Sequence, residues 1–262
     1  MKPIADLNKY NTSMRQSLID KIFFVDKVPS DFGLIDFGCA DGTLIQFMRN
    51  MFPENSYVGY DNDPTMIQQA LLKNGINDPN FYCYDNFKNA LQQMHSYNKE
   101  VNILNLSSMI HEVYSYASYD EIEHFWNDQV FSGNFTHIVI RDMIPSNTVN
   151  RETYPNDVRK ILKFADPDIL SSFEGHWGSI KNLKNLMHFL LKYRYKENWE
   201  REVRENYLPI TLEDLYRVIS DNYDIIYQEH YCLPFLHEKI KQDFGIEFYE
   251  PTHLKLILRK KK

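Results

Sequence analysis

The feature that most constrains this chain is the alternation, over its first 145 residues, of short apolar runs with segments of helical pattern. The runs "FGLIDFG" (32–38), "SYVGYD" (56–61), "NFYCYD" (80–85), "VNILNLS" (101–107) and "THIVIRD" (136–142) read as strands. Most are nearly continuous in hydrophobicity, as strands covered on both faces are. Between the first two, "GTLIQFMRNMFP" puts Leu44, Ile45, Met48, Met51 and Phe52 on one helical face before Pro53 ends it. In "DPTMIQQALLKNG", Asp63 suits an N-cap, Pro64 the first helical position and Gly75 the C-terminal stop. A further helix is expected over 119–130, between the fourth and fifth strands. Such alternation specifies an α/β chain, doubly wound around a mostly parallel sheet.

The end of the chain reads differently. "NYDIIYQEHYCL" (222–233) and "THLKLILRKK" (252–261) predict two more strands, seven in all, separated by the longer, broken "PFLHEKIKQDFGIEFYEP". Residues 146–220 form a mostly helical stretch far longer than an ordinary connection. It is expected to be a helical insertion after the fifth strand of a single domain, 1–262, rather than a domain of its own.

Composition narrows the partners. With 43% hydrophobic and 25% charged residues the chain is globular in type, and its net charge of −7 offers no global attraction for a polyanion. Cys39, Cys83 and Cys232 form no C-x-x-C pair, so neither a disulfide framework nor a zinc ribbon is suggested. No apolar run approaches a membrane-spanning length and "MKPIADLNKY" has no apolar signal core, so a cytoplasmic, membrane-free setting is expected. The nine histidines show no H-x-x-x-H or H-E-x-x-H spacing, so no metal is expected.

In an open parallel sheet, ligands bind where strand order reverses, at the carboxyl ends of the strands. The loop after the first strand, in "LIDFGCADGTL", is therefore the first place to look. Its pattern is Asp36-x-Gly38-x-x-x-Gly42, which is neither G-x-G-x-x-G nor a P-loop. Asp36 and Asp41 would repel a phosphate, whereas an adenosine with a cationic tail, such as S-adenosylmethionine, suits them. The second strand ends at Asp61, which can accept hydrogen bonds from both ribose hydroxyls, and Asp85 or Asn86 ends the third, where the adenine edge is expected. Asn62, beside Asp61, and Asn105, in the fourth strand, are further candidate contacts. So is Cys39, which lies between the glycines and has no adjacent base to activate its thiol.

The ordered series "LIDFGCADG", "VGYDND", "FYCYDN", "NLSSMIHE" and "IVIRD" resembles the class I S-adenosylmethionine-dependent methyltransferase family, over about residues 30–145 and again from 222 to the end. The resemblance implies a Rossmann-like sheet ending in an antiparallel hairpin strand. It implies that Gly38 and Gly42 bring the backbone against the methionine part, that Asp36 helps hold its amino group, that Asp61 binds the ribose, and that Asp85 sits near the adenine. It also implies an N-terminal segment over the cofactor. That makes Tyr10 a candidate contact, in an amphipathic stretch with Met14, Leu18 and Ile22 at helical spacing; ordinary packing is the alternative. No N-P-P-Y signature follows the fourth strand, so methylation of DNA bases or glutamine is not suggested.

Candidate catalytic residues follow the fourth and fifth strands. His111 is the candidate base, because an unperturbed imidazole titrates near neutral pH, and Glu112 is beside it; capping or packing of the following helix is the alternative for His111. Arg141 and Asp142 edge the same place, with an ion pair or loop hydrogen bond as the alternative for both. In "HWGSIKNLKNLMHFLLKYRYK" (176–196), five Lys or Arg stand without an acid. Leu183, Leu186, Met187, Leu190 and Leu191 are expected to dock it on the main domain. Lys181, Lys184, Lys192 and Arg194 then fall on the opposite or flanking face, among Trp177, Tyr193, Tyr195 and Trp199. The reading is a methyltransferase for a small-molecule or anionic acceptor. Three alternatives stay open: a nucleic-acid acceptor bound through 176–196, a non-catalytic adenosylmethionine-binding protein, and a dehydrogenase with an atypical loop.

Overall fold

Each of the seven apolar runs forms a strand in the computed structural model, which describes residues 17–75, 79, 81–219 and 222–261. They are β1 (Gly33–Phe37), β2 (Ser56–Tyr60), β3 (Phe81–Tyr84), β4 (Asn102–Ser107), β5 (His137–Asp142), β6 (Tyr223–Tyr231) and β7 (His253–Lys260). They build one sheet in the order β3-β2-β1-β4-β5-β7-β6. The first five run parallel, and β7 is antiparallel to both β5 and β6. Every residue of β1 and β5 is buried, whereas the edge strand β6 is largely exposed or half-buried, so unbroken hydrophobicity was needed only in the centre. Strand order reverses between β1 and β4, whose pairing sets Asp36 opposite Asn105. None of the described helices is long and apolar enough to cross a membrane.

Local signals account for most helices on this sheet. Thr43–Met51 buries Leu44, Ile45 and Met48, but it ends one residue early, so Met51 faces solvent instead of the core. The Asp63 carboxylate caps Pro64–Asn74 by accepting from the Thr65 N–H at 2.8 Å, and Gly75 ends it with a positive φ. The helix expected over 119–130 is divided. Tyr119–His124 carries a capping box between Ser118 and Glu121, and Phe125–Phe131 continues as a π-helical turn that buries Phe125, Trp126 and Val130. Two short helices complete this set, Phe87–Ser96, which had no expectation, and Ile110–Tyr116, the helix expected to follow the fourth strand at His111. The first holds the sheet through only Phe87, Ala90 and Met94, too sparse a stripe to stand out.

The long segment after β5 is helical, as its pattern suggested, with helices Pro155–Phe164, Pro167–Trp177, Leu183–Tyr193 and Leu212–Ile219. Leu183, Leu186, Met187, Leu190 and Leu191 are all buried. They meet Phe173, Leu236, Ile240 and Phe244 rather than the sheet, because the β6–β7 connection contains a helix of its own, Pro234–Phe244, which closes this second core. Leu212, Leu215 and Ile219 instead join the core on the sheet.

One position in β2 tests the packing. A Cβ on Gly59 would stand 2.4 Å from Cys83 Sγ and 2.8 Å from Cys39 Sγ, both buried. Gly59→Ala is therefore expected to destabilise the protein by about 1–3 kcal/mol, the usual cost of overpacking. Urea unfolding would show this as a lower midpoint with an unchanged slope; an unchanged midpoint would mean that the two thiols yield freely.

Candidate active site

The loop leaving β1 needs its glycines for both conformation and space. Gly38 and Gly42 have φ of 77° and 71°, in the left-handed region. A Cβ on Gly38 would lie 2.1 Å from Met109 Sδ, and one on Gly42 would lie 2.6 Å from Asn74 Nδ2. Ala40 shares the left-handed turn, and its N–H donates to Asp61 Oδ2 at 2.9 Å while Asp63 N–H donates to Oδ1 at 3.0 Å. Asp61 thus joins the β1 and β2 loops. A cavity of about 570 Å³ opens there, lined by Gly38, Ala40, Tyr60, Asp61 and Asn62 on one side and by Ser107, Ser108, Met109 and Glu112 on the other.

Other candidates lie behind or beside this cavity. Asp36 is buried, accepts from Asn105 Nδ2 at 2.8 Å, and is pushed up to about 6 by burial against the partial relief of that bond and of Lys21. The Asn105 Oδ1 and Ser107 Oγ atoms are buried without a hydrogen-bond partner. Gly42 caps the next helix, off the cavity wall. The Cys39 thiol points away to Cys83, 3.4 Å distant, and this contact together with burial raises its pKa. Asp85 and Asn86 are exposed and off the wall, and Asn86 accepts from Asn89 N–H as the cap of Phe87–Ser96. Asp41 does not face the site at all, being paired with Lys73 and Thr43. Its carboxylate therefore says nothing about phosphate. Tyr10 lies outside the described residues.

Lys21 lines the cavity and was missed. Its place was marked by the apolar stripe, three residues after Leu18 and next to Ile22. Burial, then the nearby Arg141, lowers it to about 8. Asp20 fastens this segment to the sheet by pairing with Arg141 at 2.7 Å and Lys255 at 2.8 Å and by accepting from Tyr231 OH at 2.5 Å. Arg141 is thus held in an ion pair, the simpler of its two readings.

A smaller pocket of about 100 Å³ adjoins the cavity, and Ser108 and Glu112 line both. His111 forms its floor. Asp142 Oδ1 lies 2.6 Å from His111 Nδ1, Asp142 Oδ2 accepts the His111 N–H at 3.1 Å, and Glu205 Oε1 lies 3.4 Å from Nε2. Burial alone would lower the imidazole pKa, but Asp142 and then Glu205 outweigh it and push it up to about 10. With no ion bound, the two carboxylates thus favour the protonated imidazole over the free base expected from its ordinary pKa. Loss of solvent moves Glu112 the other way for an acid, up to about 7.

Glu205 comes from the insertion, and nothing in the local sequence marked it. Its loop is fastened by three contacts. Tyr207 N–H donates to His188 Nε2 at 3.1 Å, the Ser115 hydroxyl lies 2.7 Å from Asn206 O and 2.6 Å from His111 O, and Lys192 donates to Glu202 O. Lys192 is therefore interior, 3.9 Å above the Tyr207 ring, and not part of a basic face. Tyr193 is buried as well, Trp177 donates to Val203 O, and Arg194 packs over Tyr195 and Phe235 beside the pocket. Of the basic, aromatic surface expected over 176–196, Lys192 and Tyr193 are buried, Trp177, Lys184, Arg194 and Tyr195 are half-buried, and Lys181 and Lys196 stay exposed.

His111, Glu112 and Glu205 also place ligand atoms within 4.8 Å of one another, a grouping that no sequence spacing announced.

No protein-family model and no curated protein matches this sequence. Solved structures do. The plantazolicin methyltransferase BpumL, in complex with a triazolic desmethylPZN analog and SAH, is 13% identical with a TM-score of 0.51, over 98% of this chain and 93% of that one. The pyocyanin biosynthetic protein PhzM is 11% identical with a TM-score of 0.54, over 97% of this chain and 58% of its own. A putative O-methyltransferase from Nostoc punctiforme is 9% identical with a TM-score of 0.50, over 97% and 59%. The fold is that of the class I methyltransferases.

Asp36 gives a test that needs no ligand. A carboxylate whose pKa is higher folded than unfolded costs stability once it ionises, so the cost is absent below about pH 4 and complete above about pH 6. Asp36→Asn keeps an acceptor for Asn105 and is expected to raise stability by about 1–2 kcal/mol at pH 7.5. The gain should shrink toward zero at pH 4. Thermal unfolding at the two pH values checks this, and a destabilised variant at pH 7.5 would refute it.

Proposed function

We propose that this protein is an S-adenosylmethionine-dependent methyltransferase acting on a small polar or anionic acceptor. The observation that carries the reading is the meeting of two unequal cavities at Ser108 and Glu112, at the carboxyl ends of β4 and β1. A methyl group passing from donor to acceptor needs two sites that share a wall and meet in line. The fold is compatible, since a solved methyltransferase and a putative O-methyltransferase share it.

The larger cavity fits the donor. Its volume of about 570 Å³ lies within the range of small-molecule and cofactor sites. The tight approach at Gly38 leaves backbone, not side chain, beside it, and Ser107 Oγ and Asn105 Oδ1 are buried without partners. Asp61 holds its carboxylate at the β2 end for the ribose hydroxyls, with Asn62 beside it. Asp36 and Asn105 stand beneath for the amino group. The donor supplies an electrophilic methyl when bound; the chain supplies orientation and exclusion of water.

The smaller pocket takes the acceptor, and segment 146–220 is its wall within one 262-residue domain. Leu191, Arg194, Tyr195, Arg201, Glu205 and Tyr207 come from that segment. Arg194 and Arg201 give an anionic group a place to lie, and the burial of Lys192 and Tyr193 removes one cation and one ring from any surface for a nucleic-acid strand.

A thermal-shift panel of S-adenosylmethionine, S-adenosylhomocysteine, NAD and ATP tests the reading. A ligand at a hundred times its Kd adds about 2.7 kcal/mol, and the two adenosyl compounds are expected to do so. Stabilisation by NAD alone would end the proposal. Asp61→Ala is expected to weaken adenosylmethionine binding by about 1.5–3 kcal/mol, the worth of hydrogen bonds to a charged group. Calorimetry finding wild-type affinity in the folded variant would remove Asp61 from the ribose site.

A further inference from the structure

We propose that His111, Glu112 and Glu205 bind a divalent cation at the floor of the smaller pocket. The three residues offer one imidazole nitrogen and two carboxylates, with ligand atoms all within 4.8 Å of one another. The 3.4 Å between His111 Nε2 and Glu205 Oε1 already matches the edge of a tetrahedron whose ligands stand about 2.1 Å from a metal. Rotation of the Glu112 carboxylate closes the third distance. Glu112 lines the same pocket, close enough to His111 and Arg201 to interact with both charges.

The support behind the histidine is the second observation. Asp142 Oδ1 meets His111 Nδ1 at 2.6 Å and also accepts the Met143 N–H at 2.7 Å, while Oδ2 accepts the His111 N–H. A carboxylate fixed in this way holds the ring orientation and directs Nε2 outward, the arrangement that lies behind metal-binding histidines, and the ion takes the place of the Nε2 proton, which is released to solvent. The Glu205 side is held as firmly, since Tyr207 N–H is bound by His188 and Asn206 O by Ser115.

One imidazole with two carboxylates suits Mn²⁺, Fe²⁺ or Zn²⁺, and three protein ligands leave positions open toward the pocket. Resting on the methyltransferase reading, those positions would take an oxygen of the acceptor, beside Arg194 and Arg201. A hydroxyl bound there gives its proton to solvent. Its oxygen then bonds to the methyl carbon as the sulfur–methyl bond breaks, leaving a neutral thioether.

The cation is tested without methyl donor or acceptor, so this proposal and the methyltransferase reading fail separately. Dialysed protein is titrated with Mn²⁺ and followed by electron paramagnetic resonance. One ion per chain is expected, with at least a tenfold loss of affinity in Glu205→Gln and His111→Ala. Asp142→Asn, which removes no ligand, should weaken binding about 10–100-fold. Glu247→Gln, at an exposed ion pair, should bind as wild type. Should His111→Ala fail to fold, pulsed measurements on the wild-type protein must still show one imidazole nitrogen coupled to the ion. Absence of a bound ion with both Mn²⁺ and Zn²⁺, or an ion without nitrogen coupling that survives Glu205→Gln, overturns the proposal.

Discussion

The Asp142–His111 pair is the interaction on which the rest of the site depends. Asp142 ends β5 with no exposure to solvent, and His111 lies in the first turn of Ile110–Tyr116. That helix has no side-chain cap from its own N-cap residue, Met109. The carboxylate of the neighbouring strand replaces one, and its charge meets the positive end of the helix. Removing either partner would leave a buried charge uncompensated, typically a loss of about 3–5 kcal/mol. The pair therefore fixes where β4 hands over to its helix, and with it the wall shared by both cavities.

A second set of buried charges does the same work on the opposite side. Asp20 gathers Arg141, Lys255 and Tyr231 from β5, β7 and β6, which brings Lys21 against the cavity. Buried ions of this kind are poor sources of net stability, because desolvation offsets most of the attraction. Their consequence is position: each satisfied partner removes a freedom from a side chain that faces the cavities.

Much of this was legible along the chain. Seven strands followed from apolar runs; in the central ones, β1 and β5, the run is unbroken because a strand covered on both faces has to be apolar throughout. Asp63 and Gly75 marked a helix because caps act within one turn. Gly38, Gly42 and Asp61 stood at strand ends, and the strand-order reversal is where such positions converge. Where local reading went astray, a neighbour distant in sequence had intervened. Asp41 turned to Lys73 and Lys192 was drawn inside by Glu202 and Tyr207, whereas Asn86 was taken locally, by the first turn of its own helix. His111 was expected to be a neutral base on its intrinsic pKa, and two carboxylates 31 and 94 positions away shift it toward the protonated form.

The sequence by itself determined the seven strands, several of the helices and the strand-end loop that faces the larger cavity, since periodicity, caps and glycine positions are local properties of the chain. Only the tertiary structure decided which side chains meet. Glu205 reaches His111 because the insertion packs on the helix between β6 and β7, a core whose halves are separated by all of β6. A carboxylate's role depends on the few ångströms to its nearest charge and on the loss of water around both, and neither is encoded within a helix turn or a strand.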